Sequence, residues 1–125
     1  MILEFTKEMI QPGMTALRIK GSIHCGPECA RLEQEVDGMI AARQTRVILD
    51  MAGVTHADSA AMGAIVRCLG KLKRAGGGLR IAATQPMIEY SLQLTKLDRV
   101  IEIFRTVDDA ARGFSGPEAG AGKPA

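Results

Sequence analysis

Residues 46–72, RVILDMAGVTHADSAAMGAIVRCLGKL, decide the fold of this chain. The aliphatic run at 47–49 is typical of a central strand covered on both faces, and we expect that strand to end at Asp50. Gly53 then permits a turn, and the polar residues of 55–59 lead into a helix. The segment therefore predicts a strand, a turn and a helix in direct succession.

The predicted helix carries an apolar stripe and begins with two polar residues. From Met62 onward the apolar residues are spaced three and four apart, at Ile65, Val66, Leu69 and Leu72. Asp58 and Ser59 stand where the helix begins, so one of them is expected to accept hydrogen bonds from the first free backbone N–H groups, worth about 0.5–2 kcal/mol. From the residues alone, Ser59 is either a structural N-cap or a functional group.

The chain before this segment predicts a hairpin and a helix. Residues 2–10 are typical of an edge strand, which pairs through Pro12 and Gly13 with a second strand at 14–19. Residues 21–26 are expected to form a loop before a helix that starts at Pro27. The stripe of that helix facing the sheet comprises Cys29, Leu32, Val36, Met39 and Ile40.

The chain after the segment repeats the alternation of strand and helix. Three glycines at 76–78 end the central helix, and a strand follows at 79–83. A third helix begins at Pro86 and contains Met87, Tyr90 and Leu94. The final elements are a strand at 100–104 and a terminal helix from Thr106 to about Gly113.

This order predicts an α/β fold with a mixed, mostly parallel sheet of about five strands and four helices. We expect one domain at 1–114. Residues 115–125 are rich in glycine, alanine and proline, cannot build a core, and are expected to form a disordered C-terminal tail.

Composition excludes several classes of function. The net charge is +2 without a block of lysine and arginine, which argues against nucleic acid as a partner. No apolar run is long enough to predict a membrane span, and the N-terminus lacks the layout of a signal peptide, so we expect a cytoplasmic protein. Three cysteines argue against a disulfide framework, and Cys29 and Cys68 are expected to be small buried hydrophobes. His24, Cys25 and Cys29 lack a fourth ligand at a recognised spacing, so no metal or other cofactor is expected.

The run from DMAGVTHADSAAMG to LQLTKLDRVIEIF, residues 50–104, resembles the STAS domain of bacterial anti-sigma factor antagonists. In that family an aspartate-serine pair follows the central strand, a small residue and a Leu/Met-Gly pair open the helix, and the serine is phosphorylated. The matching residues are Asp58, Ser59, Met62 and Gly63, with Ala60 at the small position. Ala61 stands where the family usually has glycine, which would let a partner's backbone approach more closely.

The resemblance, which covers nearly all of 1–114, implies a regulatory binding protein rather than an enzyme. Such a protein binds an anti-sigma factor serine kinase while Ser59 is free and releases it when Ser59 carries phosphate, which a phosphatase then removes. The partner-binding residues that it implies are His56, Asp58, Ser59, Ala60, Met62 and Gly63. An exposed Met62 would suit an adaptable contact. The segments 22–25 and 84–87 are further candidates, and a weak homodimer is left open.

Two other functions are weighed against this one. The same fold would serve as a constitutive scaffold or as a small-ligand or lipid-transport module in which the serine is not modified. A hydrolase built on His56, Asp58 and Ser59 is disfavoured, since three residues within four positions of one turn can hardly place a base beside an exposed nucleophile. The Gly-x-Ser-x-Gly elbow is also missing from the sequence.

Overall fold

The computed structural model describes residues 3–24 and 26–114. In chain order its elements are β1 (Glu4–Gln11), β2 (Met14–Ile23), α1 (Pro27–Ala41), β3 (Arg46–Ala57), α2 (Ser59–Arg74), β4 (Gly78–Ala82), α3 (Pro86–Leu94), a 3-10 turn (Leu97–Arg99), β5 (Ile103–Phe104) and α4 (Val107–Ala111). The predicted tail at 115–125 lies outside the described residues, so its disorder stays a prediction, as does the domain boundary at 114.

The strands form one sheet in the order β1-β2-β3-β4-β5. β1 pairs with β2 antiparallel, through a turn in which Gly13 has a φ of 82°. The other neighbours, β2 to β5, pair in parallel. The predicted mixed sheet of five strands with four helices is therefore confirmed.

β3 is longer than the sequence predicted, because it continues from Asp50 to Ala57. Its first half pairs with both β2 and β4, and the pairing with β4 ends at Asp50 opposite Ala82. Its second half pairs with β2 alone, as far as Ile23 opposite Ala57. The end predicted at Asp50 is wrong, and so is the loop predicted to begin at Gly21, since backbone pairing carries both strands past the point where their apolar runs stop.

Gly53 lies inside this extension rather than in a turn. A Cβ atom at Gly53 would lie 3.1 Å from the carbonyl oxygen of Ile19 and 3.2 Å from the Cα of Lys20. The register of β2 against β3 shifts between Arg18 and Lys20, which is the mark of a bulge. Glycine is needed here so that two backbones can approach closely, which the turn prediction missed.

The main core lies between one face of the sheet and α1, α2 and α3. The predicted stripe of α1 is confirmed: its first four residues are buried and Ile40 packs against them half-buried. On α2 the buried residues are Ala61, Met62, Ala64, Ile65, Cys68, Leu69 and Leu72. Val66, predicted to share this face, is 40% exposed because it lies one residue, and so about 100° of helical rotation, beyond the buried Ile65.

A second, smaller cluster covers the opposite face of the sheet. It consists of Met14, Ile48, Ala82, Ala110 and Phe114, the last two contributed by α4 and the residues after it. Arg80 is buried beneath them, with its guanidinium carbon 4.5 Å from the centroid of the Phe114 ring. Its Nη1 donates to the carbonyl oxygens of Ala110 at 2.8 Å and Arg112 at 3.0 Å. This arginine attaches α4 to the sheet.

The C-terminal third differs most from expectation. β5 contains only Ile103 and Phe104, while Val100, predicted to belong to it, is 55% exposed after the 3-10 turn. Three apolar residues of α3 form an exposed stripe with exposures of 59–66%: Met87, Tyr90 and Leu94. α3 is instead held against the core by Ile88 and Leu92.

Cys29 and Cys68 are buried, as predicted. Burial raises the pKa of the Cys68 thiol to about 12, so it stays neutral and unreactive at ordinary pH. Cys25 lies outside the described residues.

None of the helices described is both long and apolar enough to cross a lipid bilayer.

Candidate functional site

Asp58, not Ser59, caps α2. The Asp58 backbone is extended, and its Oδ1 accepts the backbone N–H of Ala61 at 2.9 Å. Its own N–H donates to the carbonyl oxygen of Ile23 at 3.2 Å, which ties the start of α2 to the end of β2. The interpretation of Ser59 as the structural N-cap is therefore wrong, since the neighbouring carboxylate already fills that role.

Ser59 is the first residue of α2 and its side chain is exposed. Within residues 3–24 and 26–114, its hydroxyl makes no hydrogen bond. A serine that neither caps the helix nor packs in the core has no evident structural task. Its position at the tip of the β2 and β3 extension leaves the hydroxyl open to another protein.

The end of β3, which leads into α2, carries exposed polar side chains. Thr55 and His56 are both exposed. The Thr55 hydroxyl lies 3.2 Å from the Ser22 hydroxyl and 3.3 Å from Nδ1 of His56. The register places Ser22 opposite His56, so the two parallel strands present their last polar side chains at the same edge.

The remaining residues of the family motif face inward. Met62 is only 4% exposed and Ala61 is fully buried. Met62 therefore does not offer the adaptable contact that an exposed Met62 would have suited, because it lies on the core stripe of α2. The methyl group of Ala61 likewise points into the core, so this departure from the family's glycine adds nothing to the outer surface. Ala60 and Gly63 are half-buried at the margin of the site.

His24 lies at the site and belongs to the segment 22–25, which the sequence predicted as a further candidate for the partner contact. It follows β2 directly and is exposed, and its Nδ1 lies 3.9 Å from Oδ2 of Asp58. The available signal was topological, since β2 and β3 are parallel neighbours and their ends meet at one edge. The length of β2 had to be known before His24 was placed beside Asp58. We call His24, Thr55, His56, Asp58 and Ser59 the Ser59 surface.

The start of α3 adjoins the β3 extension. The side-chain amide of Gln85 donates to the carbonyl oxygen of Ala52 at 2.7 Å. This contact brings the segment 84–87, predicted as a further candidate, alongside the strand that leads to Ser59. Met87 in that segment is 66% exposed.

A separate cleft of about 200 Å³ lies on the other face of the sheet. Its lining residues are Thr6, Glu8, Ile10, Ala16, Arg18, Asp50, Val107 and Asp108. The buried carboxylate of Asp50 already accepts from Nε of Arg18 at 3.1 Å and from the Ala52 N–H at 3.1 Å. The buried carboxylate in this cleft is therefore already paired within the protein.

The STAS domain model matches residues 8–110, and the chain belongs to this family. Its relatives include a Thermotoga maritima protein classed as an anti-sigma factor antagonist, 31% identical over 65 residues. That match covers 52% of this chain and 58% of the relative, so it spans less than two thirds of that protein's length.

Solved structures share the fold. The crystal structure of a T. maritima protein of the same class has a TM-score of 0.80 at 22% identity, covering 88% of this chain and 93% of that one. SpoIIAA from Bacillus has been solved unphosphorylated and phosphorylated. Both forms have a TM-score of 0.67, at identities of 15% and 17%, and cover 86% of this chain and 94% and 96% of SpoIIAA.

Proposed function

We propose that the chain is an anti-sigma factor antagonist that regulates transcription by partner switching. With Ser59 free it binds an anti-sigma factor that is also a serine kinase, and it releases that partner once Ser59 carries phosphate. A phosphatase acting on phospho-Ser59 restores binding. These partners imply a cytoplasmic location. The observation that carries the proposal is the exposed Ser59 hydroxyl, which is left without a structural role because Asp58 caps α2.

Phosphorylation at this position is compatible with the native fold. It adds about −1.5 to −2 charges at neutral pH, and the positive end of a helix dipole tolerates an anion at the first turn. Since the Ser59 hydroxyl takes part in neither the cap nor the core, its modification breaks no contact described above. The effect of the phosphate therefore falls on the outer surface.

The partner-binding surface consists of what the structure leaves accessible. His56, Asp58 and Ser59 present polar atoms there, and Ala60 and Gly63 form its half-buried margin. Met62 supports the surface from the core rather than touching the partner. A partner shaped to a neutral serine beside the Asp58 carboxylate meets two adjacent anions after phosphorylation, and each 1.4 kcal/mol of lost binding energy weakens the complex about tenfold.

Two relatives with known descriptions support the proposal. SpoIIAA shares the fold and exists in unphosphorylated and phosphorylated forms. The T. maritima relative is classed with the anti-sigma factor antagonists. The Asp-Ser pair of the family motif falls, in this structure, at the start of α2 with its serine exposed.

The testing experiment is capture of partners from native cytoplasm by the wild type, Ser59→Ala and Ser59→Asp. Gln34→Glu, on an exposed position of α1, is the matched control for an added negative charge. We expect the wild type, Ser59→Ala and Gln34→Glu to retain the same kinase-type anti-sigma factor, and Ser59→Asp to lose it. The purified partner with ATP should then place one phosphate on the wild type and none on Ser59→Ala, as read by intact mass and peptide sequencing.

Stability measurements keep this experiment interpretable. Ser59→Asp should unfold at the same urea concentration as the wild type, so that lost binding cannot be attributed to lost structure. If all four proteins captured the same partners and no phosphate were found at Ser59, partner switching would be wrong. A constitutive scaffold would then describe the chain better.

A further inference from the structure

The cap of α2 uses only one oxygen of its carboxylate for the helix. Oδ1 of Asp58 accepts the Ala61 N–H, while Oδ2 lies 3.9 Å from Nδ1 of His24. His24 is held in place through its backbone, because its carbonyl oxygen accepts the thiol of Cys29 at 3.2 Å. The backbone of His24 is therefore held while its imidazole lies beside Asp58, the residue that precedes Ser59.

A phosphoryl group on Ser59 would be attached next to the Asp58 carboxylate. Asp58 cannot turn away without giving up the Ala61 N–H, so adjacent residues at the start of α2 would both carry negative charge. Neighbouring charges of like sign repel each other unless a cation lies between or beside them. The ring of His24 is 56% exposed, which leaves it free to move from the carboxylate toward a phosphoryl oxygen.

We propose that His24, in its protonated form, binds the phosphoryl group of phospho-Ser59. This inference rests on the proposed function and adds to it a residue that holds the modified state. The ordinary pKa of a histidine side chain is near 6.5 and the second pKa of phosphoserine is near 6, so a protonated histidine and a phosphoserine form a pair of opposite charges. Phosphate on Ser59 and a proton on His24 favour each other, and the modified state is held most firmly where both charges coexist.

Few charged or titratable groups of the described residues lie near His24. Asp58 faces it from the cap of α2, and Cys29 contacts its backbone from α1, where Glu28 precedes Cys29. The chain's other histidine, His56, lies across on β3 and engages the Thr55 hydroxyl through Nδ1 at 3.3 Å. His24 contacts Asp58 directly whereas His56 contacts Thr55, so His24 is the group assigned to the phosphate.

The test compares the full chain with serine and with phosphoserine installed at position 59 during translation. The two histidine ring signals are followed by NMR between about pH 5 and pH 8, and each is assigned by its loss in His24→Gln or His56→Gln. We expect the phosphate to raise the titration midpoint of His24 by about one pH unit, the low end of the effect of an adjacent opposite charge. The midpoint of His56 should move by less than half as much.

The phosphorus signal provides the reciprocal measurement. The second ionisation of phospho-Ser59 should occur at higher pH in His24→Gln than in the wild type, and His56→Gln should match the wild type. An unchanged His24 midpoint, or equal movement of both histidines, would overturn the inference.

The two proposals can fail separately. Because phosphoserine is installed without a kinase, a negative result here leaves partner switching standing. A chain that is never phosphorylated on Ser59 in its own cytoplasm would remove the proposed function, whatever the titration shows. The histidine midpoints are read in proteins with both rings intact, and the two variants serve only to assign the signals.

Discussion

At the scale of single residues, Asp58 and Ser59 have different roles at the start of α2: Asp58 caps the helix and Ser59 exposes a hydroxyl. The carboxylate of Asp58 accepts the Ala61 N–H at 2.9 Å, while the exposed hydroxyl of Ser59 lies outside that bond. Serine and aspartate are almost equally good N-caps, so residue type alone does not choose between them. The backbone decides, because only Asp58 has the extended conformation of a cap, with Ser59 already helical.

Replacing Asp58 by alanine should destabilise the protein, and replacing Ser59 by alanine should not. We expect Asp58→Ala to lower the free energy of unfolding by about 0.5–2 kcal/mol, because an N–H of the first turn loses its acceptor. Ser59→Ala should stay within about 0.5 kcal/mol of the wild type. Urea unfolding followed by circular dichroism measures both, with Asp58→Asn as the control that keeps an oxygen acceptor. Equal destabilisation by both alanine variants would show that Ser59 has a structural role after all.

At the scale of elements, α4 is too short to be stable without help from the sheet. It has five residues, whereas isolated helices below about 12–15 residues are marginal in water. Thr106 caps its start by accepting the Asp109 N–H at 3.0 Å. Arg80 holds its end by donating to the Ala110 carbonyl at 2.8 Å. Nη1 of Arg80 donates to α4, while its Nε pairs with Glu102 at 3.2 Å. The buried guanidinium therefore holds α4 against the sheet.

Replacing Arg80 by methionine should release α4 while leaving the sheet intact. Methionine keeps apolar contact with Phe114 but donates no hydrogen bond, so we expect a loss of about 1.5–3 kcal/mol. Hydrogen exchange should show faster exchange of the amides at 110–114 and unchanged protection in β3. Arg112→Met is the matched control, because Arg112 is exposed and, within residues 3–24 and 26–114, its side chain pairs with nearby Asp109 alone, so its loss should cost less than about 1 kcal/mol. Unchanged exchange at 110–114 in Arg80→Met would contradict this account.

At the scale of the whole molecule, ion pairs join α1 to α2 above the main core. Glu33 lies 2.8 Å from Nη2 of Arg67 and 3.3 Å from Nζ of Lys71, and Lys71 also reaches Asp37 at 3.1 Å. The hydrogen bond from Arg67, followed by that from Lys71, holds the pKa of Glu33 below its ordinary value, although burial opposes this. The hydrogen bond to Asp37 raises the pKa of Lys71, so that cation persists throughout neutral pH.

The lowered pKa of Glu33 predicts how acid affects stability. A carboxylate whose pKa is lower in the folded state contributes stability above its ordinary value of 4.5, and this contribution is lost as the pH falls through the folded value. We therefore expect Glu33→Gln to be less stable than the wild type at pH 7 and the difference to shrink as the pH falls below 4.5 and through the lowered pKa of Glu33. Urea unfolding at several pH values measures this. Glu4→Gln, at an exposed carboxylate of β1, serves as the control and should show no such convergence. If the difference in stability between wild type and Glu33→Gln stayed constant across this pH range, the ionisation of Glu33 would not be its cause.

Local sequence patterns predicted the structure correctly wherever the residues of a single element determined it. The core stripe of α1 and the proline starts of α1 and α3 were predicted correctly. The pattern failed at Val100, because an apolar residue near the end of a chain segment looks the same whether it enters a strand or follows a turn. It also gave no sign that Leu94 would be exposed, since no element described here covers that side of α3.

The sequence by itself determined the order of the elements, the mixed parallel sheet and the presence of Asp58 and Ser59 at the start of a helix. These follow from hydrophobic spacing, turn residues and capping chemistry, which act over a few neighbouring positions. Only the tertiary structure decided that β2 and β3 extend together and that His24 lies beside Asp58. Those outcomes depend on backbone pairing between segments about 30 residues apart. For that reason no local pattern contained them.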